Sequence, residues 1–196
     1  SNANGGAAGT ITLTTHADGV ITLDNSTITA AGGAGDGSGT QGAGANITFS
    51  NAVALTTGAA TIDTGATGGN ISFNNTVNGG QALTLASGTG DVTLTGAVGT
   101  TTRLGTLTIS SATNVTAAAI SANRLLQTGG SGTTTLNGVV DISFVAAPEN
   151  TAADPAIRIV SDQLAVNSSI TTQLNTGGGN IELIQSSQID IAADGD

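Results

Sequence analysis

The chain has 196 residues, of which 8% are charged and 2% aromatic, and it contains no cysteine. Its formal net charge of −10 sets thirteen acids against three arginines, with no lysine. This excludes a disulfide framework and thiolate chemistry, and it leaves no basic patch for nucleic acid or for an anionic membrane.

Ser1-Asn2-Ala3 reads as the scar of a cleaved expression tag and is set aside. With no Met anywhere, the remainder, 4–196, reads as an internal piece of a longer protein. Thirty glycines and many small polar residues suggest disorder at first sight. Disordered segments lack regularly spaced β-branched residues, whereas here Ile, Val and Leu alternate with Thr, Ser and Ala throughout.

That alternation predicts short strands bounded by Gly, Asn, Asp and Ser. Ile11-x-Leu13 and Ile21-x-Leu23 come first. Residues 31–45 (AGGAGDGSGTQGAGA) then interrupt the pattern and read as a loop leaving the regular structure. Strands resume at Ile47-x-Phe49, Val53-x-Leu55, Ile71-x-Phe73, Leu83-x-Leu85, Val92-x-Leu94 and Leu107-x-Ile109. Thr116 to Ile120 has some helical propensity, but it falls in a strand slot and is read as extended. A second break, 146–156 (AAPENTAADPA), holds both prolines, which cannot donate to a ladder. Strands are predicted around it and beyond at Ile142-x-Phe144, Ile157-x-Ile159, Leu164-x-Val166, Ile181-x-Leu183 and Ile189-x-Ile191.

A phrase recurs through these elements: Asn46-Ile47-Thr48-Phe49, Asn70-Ile71-Ser72-Phe73, Asp91-Val92-Thr93-Leu94 and Asn180-Ile181-Glu182-Leu183. The first three starts lie 24 and 21 residues apart. A period in that range marks a solenoid, whose coils bury their apolar faces only by stacking. The fold expected is therefore all-β: a single parallel β-helix with coils of about 20–24 residues and loops near 31–45 and 146–156. Eight or nine coils at the strand spacing of ~4.8 Å make a rod roughly 40 Å long.

Aligned by coil, Ile47, Ile71, Val92 and Val115 share one inward slot. Phe49, Phe73, Leu94 and Leu136 share a second; Val53, Val77 and Val98 share a third, with Val139 one place early. Phe49, Phe73 and Phe144 each end an Ile-x-Phe phrase and are expected to point inward. Gly69-Asn70, Gly90-Asp91 and Gly179-Asn180 mark corners, where Gly accepts positive φ and Asn or Asp bonds locally. Stacked Asn at one corner suggests a ladder between coils.

The motifs Asn70-Ile71-Ser72-Phe73, Gln81-Ala82-Leu83-Thr84-Leu85 and Gly90-Asp91-Val92-Thr93-Leu94-Thr95-Gly96-Ala97-Val98-Gly99 carry a family likeness. So do Leu104-Gly105-Thr106-Leu107-Thr108-Ile109 and the stretch Thr133 to Val140. Together they resemble the β-strand repeats of filamentous-haemagglutinin-like exoproteins and related adhesins, most clearly from Asn46 to Val140. The resemblance implies a right-handed parallel β-helix at the bacterial cell surface, serving as shaft or binding face of a secreted adhesin. It implies host or cell-surface glycans or proteins as partners, and it transfers no catalytic residue.

Each candidate for chemistry has a plainer explanation in the pattern. Gly32 to Gly37 approximates a calcium-binding Gly-rich nonapeptide, but its Asp36 is displaced and the phrase does not repeat. Asp194 and Asp196 fall short of the six to eight oxygens that calcium takes. His16 is the single histidine, which argues against a transition-metal site or a catalytic triad. Asp63, Asp91 and Asp141 are the carboxylates a polysaccharide-cleaving β-helix would use, with Arg103, Arg124 or Arg158 in support; no Trp or Tyr is present to stack on sugars. Outward Thr48/Ser50, Ser72/Asn74, Thr93/Thr95 and Thr135/Asn137 make an irregular Thr-x-Thr array, unlike the flat lattice an ice-binding face needs. No catalytic, metal or cofactor residue is therefore assigned, and the protein is expected not to be an enzyme. The alternative is a carbohydrate-active or carbohydrate-binding β-helix. Membrane insertion is not expected, because no apolar run approaches ~18 residues. The open edges of terminal coils invite end-to-end self-association.

Overall fold

The computed structural model describes residues 3–144, 155–174 and 180–192. Within them the chain is all-β. Its strands are β1 (Ile11–Leu13), β2 (Ile21–Leu23), β3 (Thr27–Thr29), β4 (Ile47–Phe49), β5 (Val53–Leu55), β6 (Ala60–Asp63), β7 (Ile71–Phe73), β8 (Val77–Asn78) and β9 (Leu83–Ala86). They continue as β10 (Val92–Leu94), β11 (Leu104–Ser111), β12 (Val115–Ala117), β13 (Ile120–Gln127), β14 (Thr133–Leu136), β15 (Val140–Phe144), β16 (Ile157–Val166), β17 (Ile170–Leu174) and β18 (Ile181–Ile191).

Every pairing between these strands is parallel, and they sort into three files that the chain visits in turn. The first file runs β1, β4, β7, β10, β12, β14, then the second halves of β16 and β18. The second links β2, β5 and β8, passes through Val98, and continues with the start of β13, β15 and β17. The third runs β3, β6, β9, β11, the end of β13, and the first halves of β16 and β18. Each coil thus lays one strand on each file and returns one strand spacing further along, a solenoid-like winding. Parallel strands joined this way need long connections, which the rest of each coil supplies.

Alternation fixes which side faces in. In β4, β7 and β10 the outer residues of each triplet are buried and the middle one is partly exposed. Register then stacks like on like: Ile47 on Ile71 on Val92 on Val115. The rings of Phe49 and Phe73 are stacked, their centroids 4.3 Å apart and their planes nearly parallel, at 3°. Each fully buried side chain of this size contributes about 1.5–3 kcal/mol relative to exposure.

The slot of Phe49, Phe73 and Leu94 passes through Ala117 to Leu136, as aligned, but other placements differ from the sequence alignment. The slot after Val98 belongs to Ile120 and then Val140, while Val139 is 44% exposed; a one-residue slip turns a strand residue to the other face. Phe144 lies on the second file, away from the Phe49–Phe73 column. Likewise the Asn180 phrase continues the third file, because Ile181 pairs Ile157, whereas its three earlier copies build the first.

The corner glycines also act differently from expectation. Gly69 and Gly90 are outside the left-handed region; a Cβ on either would stand 2.2 Å from the carbonyl oxygen of Ala45 or Gly69, respectively. They are glycine because successive coils touch backbone to backbone there. Positive φ falls instead within the corner, at Gly65, Gly68 and Gly88. Gly179 lies outside the described residues, as does most of the 146–156 break.

Residues 31–45 contain no regular strand, yet they are bonded at a fixed interval. Ala45, Gly42 and Gly39 N–H donate to Ala30, Gly33 and Asp36 carbonyls, an antiparallel pair stepping by three. Gly5 and Ala8 N–H donate to Thr40 and Ala43, while Gly33 and Asp36 N–H donate to Gly6 and Ala3. A three-residue step is the repeat of a polyproline II helix, whose backbone groups all point outward. Three such segments can bond one another only where they lack side chains. Accordingly, a Cβ on Gly5, Gly32 or Gly42 would meet a neighbouring carbonyl oxygen at about contact-forbidden range, 1.8 to 2.0 Å.

Candidate functional site

The polar groups of this chain are engaged mostly in joining one coil to the next. At the corner entering the first file, the Oδ1 of Asn46 accepts the N–H of Asn70, and Asn70 Oδ1 accepts the N–H of Asp91. Asp91 Oδ1 accepts both the N–H and the side-chain Nδ2 of Asn114, whose own Oδ1 accepts the N–H of Thr133. The ladder suggested by the sequence is present, but it runs side chain to backbone rather than amide to amide. Such a bond adds about 0.5–1.5 kcal/mol net.

Two polar residues occupy apolar columns. Gln127 stands between Ile109 and Ile159, and Thr134 between Val115 and Leu164; they are 2% and 1% exposed. Thr134 Oγ1 donates to Gln127 Oε1 at 2.9 Å, and Gln127 Nε2 donates to the Val160 carbonyl. Each thereby satisfies the other inside the core.

The arginines are also placed across coils. Arg103 donates to the carbonyls of Ala122 and Asp141 and, at 2.5 Å, to Asp141 Oδ2, while Gln173 Nε2 donates to Asp141 Oδ1. Those four residues sit on four successive coils. Arg158 pairs with Glu182 at 2.9 Å. Arg124 Nε donates to the Pro155 carbonyl, and burial lowers its pKa. Asp162 lies at the register shift of β16 and accepts hydroxyls from Ser186 and Ser187. Those two bonds hold its carboxyl below the ordinary aspartate range, against a smaller opposing effect of desolvation.

The three carboxylates singled out by sequence are not brought together, although one of them, Asp141, meets the candidate Arg103. Asp63 ends a third-file strand and accepts the N–H of Gly65; Asp91 belongs to the first-file corner; Asp141 lies on the second file. His16 is exposed in the connection between β1 and β2, where its carbonyl closes a turn with Gly19. Asp36 closes the turn of the glycine-rich hairpin through its backbone. Asp194 and Asp196 lie outside the described residues. Among the described residues, no three His, Cys, Asp or Glu side chains cluster as metal ligands do, and no helix is long and apolar enough to cross a membrane.

One outward row is regular. Register aligns Thr12, Thr48, Ser72, Thr93, Thr116 and Thr135 on the first file. None of these hydroxyls bonds within the described chain. The adjoining row is mixed, with Thr14, Ser50, Asn74, Thr95, Ala118 and Asn137 at the strand ends, so the hydroxyl array is one residue wide. Nothing in the alternation pattern points to the Arg103 clamp or to the Gln127–Thr134 pair; the only available signal is that Arg103 and Asp141 lie 38 residues apart, close to two coils.

Comparison of the chain with protein-family models, curated proteins and solved structures returns no match.

Proposed function

We propose that the chain is a structural and adhesive segment of a large secreted bacterial surface protein, wound as a right-handed parallel β-helix. The right hand is the one that parallel crossover connections take almost without exception. The observation that carries the reading is the continuous parallel register of the first file from Ile11 to Ile191. A rod made this way transmits its length through backbone bonds and apolar columns, and many of its polar side chains join one coil to the next. That suits a shaft better than a catalytic cleft, so the protein acts by spacing and contact rather than turnover. Its partners are glycans or proteins of a host or neighbouring cell, met outside the cell; nucleic acid and membrane insertion have no part in it.

The test is where the parent protein resides. Antibodies raised against the chain should label intact, unpermeabilised cells of the organism that makes it. Antigen confined to the cytoplasmic fraction would overturn the proposal.

A second reading, carbohydrate binding along the rod, is favoured by the row of free hydroxyls from Thr12 to Thr135. Hydroxyls without internal partners are available to a polyol. A glycan array should then give signals that weaken in a Thr93→Val/Thr116→Val double variant; binding unchanged in that variant would sink this reading.

A further inference from the structure

Asparagine followed by glycine is a dipeptide prone to lose its side-chain amide, because glycine has no Cβ to hinder its own nitrogen as it closes on the preceding side chain. The chain holds three such pairs: Asn4-Gly5, Asn78-Gly79 and Asn137-Gly138. The fold treats them differently. Gly5 N–H donates to the Thr40 carbonyl, and Asn4 Oδ1 accepts the N–H of Thr40. Gly79 N–H donates to the Thr102 carbonyl, and Asn78 Oδ1 accepts the N–H of both Thr101 and Thr102. At these two pairs the nitrogen and the side chain it would attack are both tied to another segment.

At Asn137 they are not. This residue follows β14, and its own N–H donates to the Ala117 carbonyl, which fixes its place on the rod. Its side chain is exposed, and Gly138 N–H has no hydrogen-bond partner among the described residues. The one bond to the side chain comes from the exposed Asn167, whose Nδ2 donates to Asn137 Oδ1 at 2.9 Å. That oxygen gathers negative charge when a nucleophile adds to the amide carbon, and a donor aimed at it lowers the barrier. Asn78 has two such donors, but there the nucleophile is bound.

We infer that Asn137 is a site of spontaneous covalent modification, a property that goes beyond the structural role and does not depend on it. The backbone nitrogen of Gly138 gives up its proton to solvent hydroxide and bonds to Asn137 Cγ; the Cγ–Nδ2 bond breaks and the amide nitrogen leaves as ammonia. Water then opens the resulting succinimide at either carbonyl, leaving aspartate or isoaspartate at position 137. No oxidant, reductant or enzyme is required. The rod already accommodates the aspartate product elsewhere: Asp91 Oδ1 accepts the Nδ2 of Asn114 on the next coil, the relation a carboxylate at 137 would have to Asn167. Either product adds a negative charge to a chain that stands at −10, and the isoaspartate form lengthens the main chain between β14 and β15.

Peptide mapping by mass spectrometry on the intact chain, incubated at mildly alkaline pH, tests this, with the same chain in urea as the reference. In urea the three pairs should convert at similar rates. In the folded chain Asn137 should convert at a rate near that in urea, and Asn78 at least roughly tenfold more slowly, a factor that one or two hydrogen bonds account for. Two products of equal mass, aspartate and isoaspartate, should separate at position 137. Asn137→Gln, whose longer side chain disfavours the ring, should abolish both and leave Asn78 as it was. Conversion of Asn137 no faster than that of Asn78 in the folded chain overturns the inference. So does an Asn137 that stays intact while the unfolded chain converts.

Discussion

Thr134 and Gln127 show how a single residue can depart from the repeat without harm. Each replaces an apolar side chain in a stacked column, and each is almost fully buried. Their mutual bond, with the second bond from Gln127 to Val160, removes the desolvation cost of both. Thr134→Val keeps the shape and removes the donor, leaving Gln127 Oε1 buried without a partner. It should cost about 1–3 kcal/mol, the penalty of an orphaned buried polar group. Gln127→Leu/Thr134→Val removes both partners and should recover most of that loss. Urea unfolding of the two single variants and the double variant measures the coupling; additive losses would show that the pair does not act as a unit. The fold alters the ionisation of Asp162 through the hydroxyls of Ser186 and Ser187. Because its folded pKa lies below the unfolded one, the associated stability is present above the unfolded value and is lost as pH falls through the folded value. The group is exposed, so the effect on stability is slight. A carboxyl titration followed by NMR should place Asp162 below the ordinary aspartate midpoint, and Ser186→Ala/Ser187→Ala should move it upward.

Among elements, those built by alternation were legible in the sequence, and those built by contact between coils were not. Ile47-x-Phe49, Ile71-x-Phe73 and Val92-x-Leu94 could be aligned because period two and a steady coil length suffice to place them. Val139 was misplaced because a strand that shifts by one residue keeps the same local pattern. The Asn180 phrase repeats the words of the first file but stands on the third, since the phrase describes a corner followed by a strand and the coil has more than one such corner. The Asn ladder was foreseeable from stacked Asn residues; its side-chain-to-backbone form depends on the height of one coil over the next. No local signal reveals the Arg103–Asp141 clamp, whose members lie two coils apart. The corner glycines carry the sharpest consequence. Gly69 is needed because Ala45 passes at a distance that leaves no space for a Cβ, and both groups there are backbone, which cannot swing aside. Gly69→Ala should therefore separate two coils locally and lower the melting temperature. Gly80→Ala, at a position with nothing within 4 Å of the added carbon, should leave it nearly unchanged. Equal melting temperatures in circular dichroism would refute the close-approach explanation.

For the whole molecule, stability is distributed along one dimension. Apart from the Arg103–Asp141 contact, which skips a coil, coils are joined to their neighbours, so the free energy approximates a sum of coil terms and nearest-neighbour interfaces. A coil with neighbours on both sides is held by two interfaces, and a terminal coil by one. The burial pattern follows this closely. Inward residues of β4, β7, β9 and β10 are fully buried, whereas Ile11 and Leu13 are partly exposed and Ile181, Ile184, Ile189 and Ile191 are exposed. The glycine-rich segments around Gly5, Gly33 and Gly42 add backbone bonds at the β1 side, but they bring no apolar area to the first coil. Opening should therefore begin at the edges and proceed inward, as sub-global unfolding does where few apolar contacts hold an element. In native-state hydrogen exchange, amides of β7 and β10 should be the slowest and approach the protection set by global unfolding. Those of β1 and β18 should exchange by local opening, insensitive to low urea. Uniform protection from β1 to β18 would mean that the solenoid opens as a single cooperative unit, and the nearest-neighbour description would then be wrong.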